Sequence, residues 1–249
     1  MTRMDLTVAI TGATSGIGRA VAEAFHEAGA FVAVSGRDGT AVDRLVDGLN
    51  DGDENGDDAD RNGTSPEAAG TAWGARVDVR DEFDLERFFE GVAREAGPID
   101  VVFANAAVFH GAPGESPTDG VAYSEFDDTM RTNARGVFAT IREAVPHLAD
   151  EARVIVPSGS VAHESKEGMG AYAVSKAAAE AVARGFAADL DAAVGVVDPG
   201  LVATDLTGME RARDPESVAP FFVWAATEAP ADEIDGERVG LREWKSATR

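Results

Sequence analysis

The stretch VAITGATSGIGRAVAEAFHEAGA, Val8 to Ala30, decides how this chain folds. Val8, Ala9 and Ile10 form a short apolar run that reads as a buried strand. From Ile17 onward apolar residues recur at helical spacing. Between the two lie Gly12, Gly16 and Gly18. Glycines at a strand-to-helix turn allow a tight bend and a close backbone approach to a phosphate. The helix start adds unpaired N–H donors and the positive end of its dipole. The spacing G-x-x-x-G-x-G is not the common G-x-G-x-x-G, so the turn alone points to a phosphate without naming what carries it.

The same alternation continues along the chain. Apolar, β-branched runs at 6–11, 31–35, 72–78, 100–104, 153–157, 193–197 and 237–241 read as strands. Helical patterns fall at 17–29, 39–49, 82–96, 123–148 (broken near 132), 171–190 and 215–227. Strands that are apolar throughout, each followed by a helix, imply a parallel sheet covered on both faces. The expected fold is α/β, a single doubly wound domain over 1–249 with a seven-stranded parallel sheet. The segment NDGDENGDDADRNGTSPEAAG, Asn50 to Gly70, interrupts the pattern. It is acidic, glycine-rich and nearly free of large apolar side chains, so it reads as an exposed insert. Its carboxylates lack the spacing of a calcium loop, and a solvated charged loop is the expectation.

Composition narrows the function. The chain has 249 residues, no cysteine, and 45 Asp and Glu against 22 Lys and Arg, a net charge of −23. Only Lys166, Lys176 and Lys245 are lysines. Such a field repels nucleic-acid phosphates and acidic lipid, so neither is an expected partner. Self-repulsion of this size is relieved by molar salt, and the pattern resembles proteins of salt-loving cytoplasms. No run is long enough to span a bilayer. The chain enters its first strand almost at once, so no signal peptide and a cytoplasmic location are expected. His26, His110, His147 and His163 show no ligand spacing, so no metal site is expected.

Further motifs follow in a fixed order: TGATSGIG (Thr11–Gly18), ANAAV (Ala104–Val108), Asn133, SGSVA (Ser158–Ala162), YAVSK (Tyr172–Lys176) and DPGLVATD (Asp198–Asp205). Together they resemble the single-domain short-chain dehydrogenases/reductases, whose nucleotide turn is T-G-x-x-x-G-x-G. The resemblance runs from Leu6 to about Trp244, the insert excepted. It implies a Rossmann-type domain and a dinucleotide cofactor held by Gly12, Thr14, Ser15, Gly16, Ile17 and Gly18. It also implies an adenine contact at Asp78 and Val79, and a loop against the adenosine ribose at Asn105 and Ala106. Pro199, Gly200, Val202 and Thr204 are implied around the nicotinamide, with Thr204 on its carboxamide. At the end of the second strand Gly36 stands where an acid usually binds the ribose hydroxyls, and Arg37 follows with donors suited to a 2′-phosphate. NADP(H) is therefore expected over NAD(H), although Asp38 could repel a phosphate.

Tyr172 and Lys176 lie four apart on a helix and face the same way. A neighbouring ammonium and an oxidised nicotinamide favour the phenolate, so Tyr172 can exchange a proton with a carbonyl or alcohol oxygen. The resemblance implies that Lys176 also holds the nicotinamide ribose and that Ser160 polarises the substrate carbonyl. Asn133 matches the family's helix-kink asparagine, with a water near its backbone continuing a proton relay. The expected activity is NADP(H)-dependent interconversion of a ketone or aldehyde and an alcohol. Alternatives are a 3-oxoacyl-thioester reductase, a sugar dehydrogenase, or a non-catalytic NADP(H) sensor. His110, His163, Glu164, Met169 and Gly170 lie where relatives contact substrates, beside a short lid at 201–216; His163 reads as solvent-exposed. By analogy, helices 123–148 and 171–190 pair between subunits in a homotetramer or homodimer.

Overall fold

The structure, a computed structural model, describes residues 4–51, 70–208 and 211–249. Seven strands form one parallel sheet: β1 (Thr7–Thr11), β2 (Phe31–Gly36), β3 (Thr71–Arg76), β4 (Ile99–Phe103), β5 (Leu148–Pro157), β6 (Ala193–Asp198) and β7 (Arg238–Gly240). Their order is β3-β2-β1-β4-β5-β6-β7. The order reverses at β1, so the loops after β1 and β4 flank a crevice at the carboxyl edge.

Neither face of the sheet is left to water. Val8 and Ile10 of β1 pack on α1 (Gly16–Glu27) and α7 (Pro215–Thr227), where Phe25, Phe221 and Phe222 are fully buried. Ala9 points the other way, into the layer built by α3 (Glu82–Ala96), α5 (Gly136–Ala144) and α6 (Gly170–Asp189). Each buried phenylalanine contributes roughly 1.5–3 kcal/mol, so the two layers hold the sheet between them.

The helix expected over 123–148 is built differently. It comprises α4 (Tyr123–Met130), a π turn (Arg131–Arg135), α5, and a tighter 3₁₀ turn (Val145–His147). Pro146 has no N–H to continue the ladder, so the helix ends and β5 begins at Leu148. The strand expected at 153–157 thus starts earlier, pairing Leu148 with Ile99 across a bulge. α2 (Gly39–Asp51) also outruns expectation. Asn50 belongs to it and pairs with Ala72, its Nδ2 donating to the carbonyl at 3.0 Å and its Oδ1 accepting from the N–H at 2.9 Å. Residues 52–69 of the expected insert lie outside the described residues. Two short helices were not foreseen, α8 (Ala231–Ile234) and α9 (Leu241–Ala247). In α9, Glu243 accepts from the Gly240 N–H at 3.0 Å and Trp244 stacks on Phe221 at 5.3 Å.

Candidate active site

A groove of about 880 Å³, counted to its open mouth, lies over the carboxyl ends of β1, β2 and β4. Gly12, Thr14, Ser15, Gly16 and Ile17 line it from the first turn, and Arg37, Val79, Asn105, Ala106 and Thr204 from the loops around it. Gly12 has φ +66°, and a Cβ there would stand 2.6 Å from Ala106 Cα. The loops after β1 and β4 touch at this point, and no side chain fits between them. A Cβ on Gly18 would lie 2.4 Å from the Asn105 amide nitrogen and from the Gly12 carbonyl. Gly18 therefore packs the helix start onto the turn and does not line the groove. The Asn105 side chain acts as a brace, donating to the Thr11 and Gly12 carbonyls at 3.1 and 2.8 Å.

The groove suits a dinucleotide by its own chemistry. The Ser15 side chain makes no cap to α1, and no acidic residue stands in the first turn, so the helix N-terminus keeps its amides for an anion. Thr132, on the π turn, lines the groove, and its buried hydroxyl has no partner among the described residues. A buried hydroxyl left unpaired costs about 1–3 kcal/mol, which a ligand atom in the groove would relieve. Sequence reasoning missed Thr132; its signal was its place beside Asn133.

At the β2 end, a Cβ on Gly36 would stand 2.8 Å from the Thr14 methyl, so an acid there would displace Thr14. Arg37 is exposed at the groove. The Asp38 carboxylate turns to α2, accepting from the Thr40 and Ala41 N–H groups at 2.9 and 3.2 Å. Asp78 does not line the groove. Its carboxylate is gripped by Arg80, with Nε and Nη2 at 2.9 and 2.7 Å, which holds its pKa low. Arg80 also reaches Asp128, which accepts from His110 at 2.8 Å.

The second half of the site is built on α6. Tyr172 and Lys176 lie on its inner side; Lys176 is buried, its Nζ donating to the Pro157 carbonyl at 2.9 Å and lying 5.7 Å from the Tyr172 ring centre. The turn Ser160–Ala162 and the π turn carrying Asn133 both pack on this helix. Ser160 Oγ accepts from Lys166, which also pairs with Glu164 at 3.4 Å. Asn133 is buried: its Oδ1 accepts from the Val108 N–H and its Nδ2 donates to the Val108 carbonyl, both at 2.8 Å, and to Ser175 Oγ at 3.0 Å. Phe109, the next residue, stacks on Tyr172 at 4.9 Å. Asn133 thus joins the loop after β4 to the helix of the tyrosine.

Burial pushes the Tyr172 phenol up to about 12 and pulls the Lys176 ammonium down to about 8, with Glu180 opposing the second shift. The chain by itself therefore does not lower the tyrosine. Desolvation outweighs the nearby ammonium.

After β6, Gly200 turns at φ +72° with its N–H on Asp198 at 2.9 Å. Val202 pairs with Arg213, closing the segment on itself and laying Thr204 beside Gly16. Leu206 from this segment also lines the groove. Pro199, Gly200 and Val202 shape the segment and do not line the groove themselves. His163, exposed as expected, is held by Arg238.

The model of the short chain dehydrogenase family matches residues 6–215. The chain belongs to the short-chain dehydrogenases. It is 32% identical over 212 residues to versicolorin reductase stcU of Emericella nidulans, covering 82% of this chain and 72% of that one. It is 29% identical over 230 residues to gluconate 5-dehydrogenase of Gluconobacter oxydans, covering 89% and 79%. A solved short chain dehydrogenase from Burkholderia cenocepacia J2315, in complex with NADP, superposes with a TM-score of 0.78 at 22% identity, covering 96% of this chain and 97% of that one. This short-chain dehydrogenase is accordingly an NAD(P)-dependent oxidoreductase acting on a small molecule. Among its described residues no helix is long and apolar enough to cross a membrane, and no group of three or more His, Asp or Glu could hold a metal ion.

Proposed function

We propose that this enzyme interconverts a ketone or aldehyde and an alcohol with NADP(H), with Tyr172 as the acid or base. The observation that carries the proposal is the packing of the Ser160 and Asn133 turns onto the helix of Tyr172 and Lys176, beside the glycine-lined groove. When bound, the nicotinamide supplies or accepts the hydride. Ser160 donates a hydrogen bond to the substrate oxygen. Tyr172 gives that oxygen a proton in reduction and removes it in oxidation. Lys176 holds the nicotinamide ribose, and its charge favours the phenolate. With the phenol near 12 in the free chain, the positive charge of the oxidised cofactor supplies the rest of the lowering. The π turn at Asn133 interrupts the regular helix ladder, which supports a water at this point of a proton relay.

Exposed Arg37, free of Asp38, supports a 2′-phosphate and hence NADP(H). Val79, Asn105 and Ala106 flank the adenosine half, and Thr204 the carboxamide. Exposed apolar side chains on α4, α5 and α6, namely Tyr123, Phe126, Phe138 and Val174, support pairing of one-domain subunits into a homotetramer. The charge of −23 supports function in a salt-rich cytoplasm.

The test is Tyr172→Phe. Turnover on a carbonyl found by panel screening should fall at least about a thousandfold while NADPH affinity stays within about twofold. Near-normal turnover refutes the role of Tyr172. Wild-type protein that binds NADPH tightly yet turns over no carbonyl is a sensor instead.

A further inference from the structure

Of the 45 acidic residues in the chain, Glu180 is the one buried among those described. The one buried lysine or arginine among them is Lys176. The two stand one helical turn apart on α6 and share its inner face. They are also tied to consecutive residues of one strand end. Lys176 Nζ donates to the Pro157 carbonyl at 2.9 Å, and Ser158 Oγ donates to Glu180 Oε1 at 2.7 Å. Ser160 follows two residues later. Taking a carboxylate out of water is costly, and one serine hydroxyl compensates little of it. Glu180 in turn favours the charged form of Lys176 one turn away.

We propose that Glu180 is a positioning residue for the reaction at Tyr172: it keeps the Lys176 ammonium charged and, through Ser158, sets the strand end that presents Ser160. The inference rests on the roles given above to Tyr172, Lys176 and Ser160. Burial draws Lys176 down to about 8, and the Glu180 charge opposes this, so it favours the ammonium. The Tyr172 ring faces the ammonium from the same helix, and the Pro157 carbonyl faces it from β5. Among the described residues, Glu180 is the charged side chain that opposes the effect of burial on Lys176.

Glu180→Gln keeps an acceptor for Ser158 and removes the charge; Glu180→Asp keeps the charge. NADPH and NADH affinity, followed by nicotinamide fluorescence across pH in molar KCl, reads the ammonium without any substrate. Affinity should fall as pH rises and Lys176 loses its proton. In Glu180→Gln the fall should begin about one pH unit lower, and in Glu180→Asp it should return toward wild type. The turnover number should fall in Glu180→Gln with the KM for the carbonyl unchanged. Coincident affinity curves for wild type and Glu180→Gln overturn the proposal. If Glu180→Gln does not fold, Ser158→Ala decides: about a tenfold loss of turnover number with unchanged NADPH affinity at pH 7 supports the anchor, and unchanged turnover overturns it. Tyr172→Phe run in parallel separates the two failures. An active Tyr172→Phe enzyme removes the site reading itself, whereas an inactive one with an unmoved Glu180→Gln curve removes Glu180 alone.

Discussion

Replacing Asn133 by alanine cuts the joint between the loop after β4 and the helix of Tyr172. The side chain satisfies both backbone groups of Val108, at 2.8 Å each, and touches Ser175 Oγ at 3.0 Å. Ser175 keeps its own donation to the Tyr172 carbonyl at 2.8 Å, so it loses little. The Val108 N–H and carbonyl lose their partner in a site where Asn133 is 1% exposed and Val108 9%. Each of the two orphaned groups costs about 1–3 kcal/mol, so the expected destabilisation is about 2–6 kcal/mol. That is a large share of the roughly 5–15 kcal/mol that holds a domain folded. At about 2–4 °C per kcal/mol, the melting temperature should fall by about 4–24 °C. Urea unfolding in molar KCl, with linear extrapolation, measures the difference. Asn133→Asp sharpens the result. It retains an acceptor for the Val108 N–H but turns a second acceptor toward the Val108 carbonyl, so it should not restore wild-type stability. A loss below about 1 kcal/mol in the alanine variant refutes the reasoning, because the two backbone groups must then find water or other partners.

Two further outcomes follow from the surface of the site and from the charge. Arg37→Ala should raise the KM for NADPH by about tenfold or more and leave that for NADH nearly unchanged; equal effects on both would remove Arg37 from cofactor choice. Stability and turnover should both rise from about 0.1 M to molar KCl, as the screening length falls from about 10 Å to about 3 Å around a chain of charge −23; an optimum in dilute buffer overturns the salt reading.

The layered α/β sheet, the seven strands and the glycine turn were legible in the residues, because each rests on local chemistry. Apolar runs must be buried on both faces, glycines must stand where the backbone bends or closes up, and a Tyr and a Lys four apart must share a helix face. Tertiary packing decided what those residues touch. Pro146 marked a helix end, but where β5 starts depended on Leu148 finding Ile99 across a bulge. Asp78 met Arg80, and Asp38 turned to α2, through contacts that spacing alone does not encode. The clearest case is the tyrosine. The expected lowering drew on both the ammonium one turn away and an oxidised nicotinamide; in the chain alone burial raises the phenol to about 12, because desolvation depends on everything packed around a group.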